Sequence, residues 1–155
     1  MKETLLAQLD LAQEYFDRST ASLTEEDSTF APAEGVLTVA QHVAHAAHTI
    51  DWFFAGAFDP NGFDMGFEEH DRQIRGVRSL AEARAWFQRA VDNGRALVRD
   101  RSEAEWSAPI VDGVVMGGMP RTTIFGGITD HTAHHRGALT VYARLRGKTP
   151  PNPYM

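Results

Sequence analysis

What most constrains this chain is the period of its apolar residues, because four segments repeat them at steps of three and four and none alternates them convincingly at two. From Glu3 to about Leu23 the residues Leu5, Leu9, Ala12, Phe16 and Leu23 form one stripe. After a linker at Ala31–Gly35, Thr38 can cap a second segment carrying Val39, Val43, Ala46, Ala47, Ile50, Phe53 and Phe54, stopped by Asp59-Pro60-Asn61-Gly62. Ser79 and Glu82 have capping-box spacing before a third stripe of Leu80, Ala83, Phe87, Val91 and Val98, expected to end near Trp106. Breakers at Pro109, Gly113, Gly117, Gly118 and Pro120 make Ser107–Arg121 a loop, and a fourth helix starts at Thr122 or Thr123 and ends near Gly147.

Four such segments predict an all-α four-helix bundle, a single domain over residues 1–155. Between the second and third helices, Asp59 to Arg78 shows no clean period and reads as a long connection with at most one helical turn. About 20 extended residues reach roughly 65 Å, twice the ~30 Å of a 20-residue helix. The second and third helices can therefore run parallel, giving an up-down-down-up order with a long crossover.

The net charge of -6 and a pI near 5.6 supply no basic stripe for phosphates, which argues against nucleic acid as a partner. No apolar run approaches the ~20 residues that span a bilayer, so no membrane partner is expected. The N-terminal stretch breaks its apolar residues with charges, unlike a signal peptide, and a cytoplasmic location is the default expectation. With no cysteine, metal chemistry falls to imidazole and carboxylate.

The fourth helix carries the sharpest chemical signal. Its stripe Ile124, Ile128, Ala138, Tyr142 and Leu145 has two gaps, filled by His131 and His135, so both rings are expected to face the core. Residues four apart differ by about 40° in azimuth and about 6 Å in rise, which lets two imidazoles converge on one divalent ion. A lone histidine there reads as a satisfied core residue. Two in one stripe would each need a buried acceptor if no metal were bound, at a cost of about 1 to 3 kcal/mol per unmet group. His134 points away. The second helix offers His42, His45 and His48 as a third ligand, fanned over about 120°, and the centre of its apolar stripe favours His42. His70, in Glu-Glu-His-Asp, reads as solvated.

The segments T-V-A-Q-H-V-A-H-A-A-H and D-H-T-A-H-H-R-G-A-L-T-V-Y-A-R-L-R-G-K-T-P-P, with the closing Pro-Pro-Asn-Pro-Tyr, resemble the DinB-like (damage-inducible) metal-binding four-helix-bundle family, YfiT-like members included. The resemblance places the three metal ligands at His45, His131 and His135, with His42 as the fallback. It implies a homodimer and the up-down-down-up order. One departure is Ala138, where the family pattern usually has Gln after His-Arg-Gly.

Three protein ligands leave a coordination position open, the arrangement of catalytic zinc sites. The resemblance therefore implies a metal-dependent hydrolase or a transferase using a low-molecular-weight bacterial thiol, which the cysteine-free chain would have to take from outside. The alternative is a non-catalytic protein whose ion is structural or sensory. Zinc or nickel is expected first, with iron, cobalt or copper also accepted by imidazoles. Trp52 and Tyr142 are placed to line the mouth, if they are not simply core. No H-E-x-x-H occurs and Asp130 lies off the ligand face, which disfavours a protease. The basic end at Arg136, Arg144, Arg146 and Lys148 reads as a solvated face paired with acids, favourable at a helix C-terminus.

Overall fold

A computed structural model describes all of residues 1–155 as helices and loops, with no named strand. Four long helices form the bundle: α1 (Lys2–Thr20), α2 (Val39–Phe58), α4 (Leu80–Asp100) and α6 (Ile124–Leu145). Between them lie α3 (Phe67–Gly76) and the short α5 (Glu103–Ser107). The apolar stripes read in the sequence meet in one core cluster that includes Leu9, Phe16, Val43, Ile50, Phe87, Val91, Ile128 and Leu139.

Helix directions follow from cross-bundle contacts. Lys2 at the start of α1 donates to the Arg99 carbonyl at the end of α4, while Arg84 near the start of α4 donates to the Thr20 carbonyl, so α1 and α4 are antiparallel. Asp51 accepts from Trp86, and Phe54 abuts Gly94, so α2 and α4 run parallel. Against α6, His42 meets Tyr142 and Phe53 meets Gly127, which makes α2 and α6 antiparallel. The order is up-down-down-up, as the crossover length predicts.

Three boundaries differ from the sequence expectation. The crossover contains a ten-residue helix, α3, which packs back on α2. It is pinned at both ends, where Trp52 Nε1 donates to the Asp64 carbonyl at 2.7 Å and Gln41 Nε2 to the Arg75 carbonyl at 2.9 Å. The third bundle helix ends at Asp100 rather than near Trp106, because Ser102 and Glu105 form a capping box that starts α5. The first helix stops at Thr20, and Leu23 is buried from the turn beyond it. Thr38 caps α2 with a full capping box to Gln41, as expected. Ser79 caps α4, but Glu82 supplies only its backbone N–H, while the Glu25 carboxylate takes the Ala81 N–H.

The basic end of α6 is held by one buried carboxylate. Asp27 accepts from Arg146 Nε at 3.0 Å, from Lys148 Nζ and from Thr24 N at 2.8 Å. Burial opposes its ionisation, but the bonds from Lys148, Thr24 and Arg146 prevail and hold it well below the usual carboxylate range. Arg144 instead donates to the Thr140 carbonyl.

Candidate metal centre

The capping box at Thr38 fixes where α2 begins and so which way its histidines point. His45 faces α6 at the level of His131 and His135, and the ligand nitrogens of these three lie within 4.8 Å of one another. Ring centroids are 5.0 Å apart for His45–His131, 4.7 Å for His45–His135 and 4.4 Å for His131–His135. His135 Nε2 is 3.2 Å from His131 Nε2. A tetrahedral ion bound at 2.0–2.1 Å needs ligand nitrogens about 3.3 Å apart, so this pair already has the right separation.

Ligation also requires neutral rings. Burial lowers His131 to about 4, with His45 and His134 adding to it, and lowers His135 to about 2, with His131 and His45 contributing. His45 is lowered by burial as well, against an upward pull from Asp71. All three are thus unprotonated donors at neutral pH. His131 Nδ1 is buried without a hydrogen-bond partner, which leaves Nε2, 3.2 Å from His135 Nε2, as the nitrogen this ring offers to the triad. The donor set therefore fits a divalent ion.

The core-facing expectation holds for His135, which is buried, while His131 is half-buried. Because α6 packs against both α1 and α2, its buried face turns toward Phe125, Thr132, Leu139 and Ala143, leaving Ala138 half-exposed and Leu145 exposed. His131 consequently stands at the edge of the core, on the wall of a cavity. Thr49 Oγ1 lies 3.4 Å from its Nε2.

That cavity measures about 390 Å³ and lies between α2, α3 and α6. Its α3 wall presents Phe67, His70, Asp71 and Ile74, one helical face at i, i+3, i+4 and i+7, and its α2 wall includes His45, His48, Thr49 and Trp52. Trp52 does line the mouth. Tyr142 does not; it is buried behind His42 and donates to the Leu37 carbonyl at 3.1 Å.

His42 belongs to neither the triad nor the cavity wall. It is buried, with Nδ1 2.8 Å from His135 Nδ1 and Nε2 3.2 Å from Tyr142 Oη. The apolar stripe pointed to it because that stripe marks the core, whereas the triad lies at the seam between helices. His70, expected to be solvated, is half-buried with Nε2 3.0 Å from Asp64 Oδ2 and its ring 4.6 Å from that of His48. Glycine and five charged residues on α3 hid this; the spacing of Phe67, His70, Asp71 and Ile74 was the available signal. His134 and Asp130 are exposed, as expected.

An all-α bundle that gathers three imidazoles beside an open cavity defines a class of helical proteins equipped to bind a metal. The chain belongs to the DinB superfamily, whose family model matches residues 8–139. Two solved structures share the fold. One is YfiT from Bacillus subtilis, described as a probable metal-dependent hydrolase with an unusual four-helix bundle topology. It is 16% identical, with a TM-score of 0.68, over 96% of this chain and 89% of that one. The other is a mycothiol-dependent maleylpyruvate isomerase, 14% identical with a TM-score of 0.67, over 90% of this chain and 60% of that one. No curated protein matches the sequence.

Proposed function

We propose that the protein is a metal-dependent hydrolase of a small, partly apolar molecule, with His45, His131 and His135 holding one divalent ion. Zinc or nickel is the first choice; iron, cobalt and copper are the alternatives. The observation that carries the reading is that the three imidazoles converge beside a cavity of about 390 Å³ walled by aromatic side chains. An ion serving only to staple α2 to α6, or to sense metal, would need no such chamber. When bound, a three-ligand ion supplies Lewis acidity at its open position.

The chain's own residues do the rest. Trp52, Phe53, Phe67 and Ile74 give the cavity apolar walls that exclude water and hold an apolar group. His70 donates from Nε2 to Asp64, which leaves Nδ1 as the ring's acceptor for a proton released in the cavity. The description of YfiT as a probable metal-dependent hydrolase supports hydrolysis. That of the isomerase supports an external low-molecular-weight thiol as a cosubstrate in the same chamber. A cytoplasmic setting and a homodimer complete the proposal.

The test is a titration of the cobalt-substituted protein with azide, bacillithiol and mycothiol while its visible spectrum is followed. An open site predicts that azide changes the spectrum, and a larger response to one thiol would assign the reaction to transfer rather than hydrolysis. A spectrum indifferent to all three contradicts the enzymatic reading. With a substrate from an ester and amide panel in hand, His70→Gln is expected to lower kcat about 100-fold at unchanged metal content.

A further inference from the structure

We infer that His42 is a positioning residue, which with Tyr142 locks the His135 ring so that only Nδ1 carries hydrogen and Nε2 presents a bare lone pair to the triad. The inference about hydrogen-bond order stands on the chain alone; its consequence for metal binding rests on the proposed site.

The order follows from one group that has no choice. The Leu37 carbonyl can only accept, so Tyr142 Oη, 3.1 Å away, donates its hydrogen there. The Tyr142 oxygen is then an acceptor for His42 Nε2 at 3.2 Å, and that nitrogen must carry the hydrogen. A neutral imidazole has one N–H, so His42 Nδ1 is a lone pair. His135 Nδ1, 2.8 Å from it, must therefore donate. His135 Nε2 is left bare on the side that faces His131. Reversing the order would strip the Leu37 carbonyl of its donor and aim an N–H of His135 into the triad.

The path is dry. His42 is 8%, Tyr142 7% and His135 5% exposed, so water does not compete for these bonds, and each is stronger than at a surface. His131, whose Nδ1 has no partner, has no comparable support. His135 is thus the pre-oriented ligand of the three, held by its other ring nitrogen as metal-bound histidines generally are.

Two readouts on the full-length protein test this. The first is the ¹⁵N–¹H ring correlation spectrum of the metal-free chain, which is expected to show His135 protonated at Nδ1 and His42 at Nε2. Hydrogen on His135 Nε2 would overturn the inference whether or not the protein binds metal. The second is zinc affinity by competition with a chromophoric chelator. His42→Ala is expected to weaken it roughly 10- to 100-fold. Tyr142→Phe, which keeps the packing, should weaken it several-fold. His42→Asn, whose Oδ1 can accept in place of Nδ1, should stay within about threefold of wild type. A purely structural role for His42 would instead lower thermal stability in all three variants and leave zinc affinity within twofold, which overturns the inference. Equal zinc binding by wild type and His135→Ala would defeat the site itself, a different failure that the ring spectra separate from this one.

Discussion

His42, His45 and His48 follow one another at three-residue steps on α2, about 60° apart around the helix, and that rotation gives each different surroundings. His42 bonds to His135 and Tyr142, His45 joins the triad, and His48 looks across the cavity mouth at His70. Their burial has a measurable consequence for stability. Burial holds His42 and His131 at about 4, and His48 likewise at about 4 with His70 and His45 adding to the depression, against an ordinary value of 6.5. Between pH 6.5 and about 4 the unfolded chain therefore binds protons at these rings that the folded chain does not. Stability of the metal-free protein should be flat above that window and fall as pH drops through it. Thermal midpoints in the presence of a chelator check this, and His48→Gln should flatten the slope; a midpoint unchanged from pH 7 to pH 5 would contradict it. The pair His131 and His135 was legible because both fall in one apolar stripe of one helix. The choice between His42 and His45 was not, since it depends on how α2 is rotated against α6. The His70–Asp64 pair was hidden because its partners meet only once α3 has folded back.

At the scale of elements, caps and breakers located the four long helices, while the crossover defeated periodicity. Only Ile74 is buried among the ten residues of α3, so this helix is defined by a mixed face of Phe67, His70, Asp71 and Ile74 over a cavity rather than by a continuous apolar stripe. Helix contacts depend equally on features with no sequence period. A Cβ at Gly94 would lie 2.4 Å from Phe54 Cε2 and 3.2 Å from Leu9 Cδ2. The Phe54 ring is itself wedged edge-on against Trp106 and Phe125, so it cannot swing aside freely. Gly94→Ala gains about 1 kcal/mol of helix propensity but overpacks the α2–α4 contact by about 1 to 3 kcal/mol. The expected net loss is about 1 kcal/mol, or a thermal midpoint lower by about 3 °C. A higher midpoint would mean that α2 and α4 are less closely packed than described.

For the whole molecule, the parallel run of α2 and α4 places α3 outside the bundle and across the face where α2 meets α6. The same crossover that lets α2 and α4 run parallel thus builds the far wall of the cavity beside the histidine triad. In the proposed site, α2 and α6 together hold one divalent ion through His45, His131 and His135. Elemental analysis of protein purified without a nickel column, alongside His45→Ala, His131→Ala and His135→Ala, tests it most directly. The expected result is about one divalent ion per chain in the wild type, with occupancy lost in each variant while helical content is kept. Full metal retention in the His131 and His135 variants would contradict it.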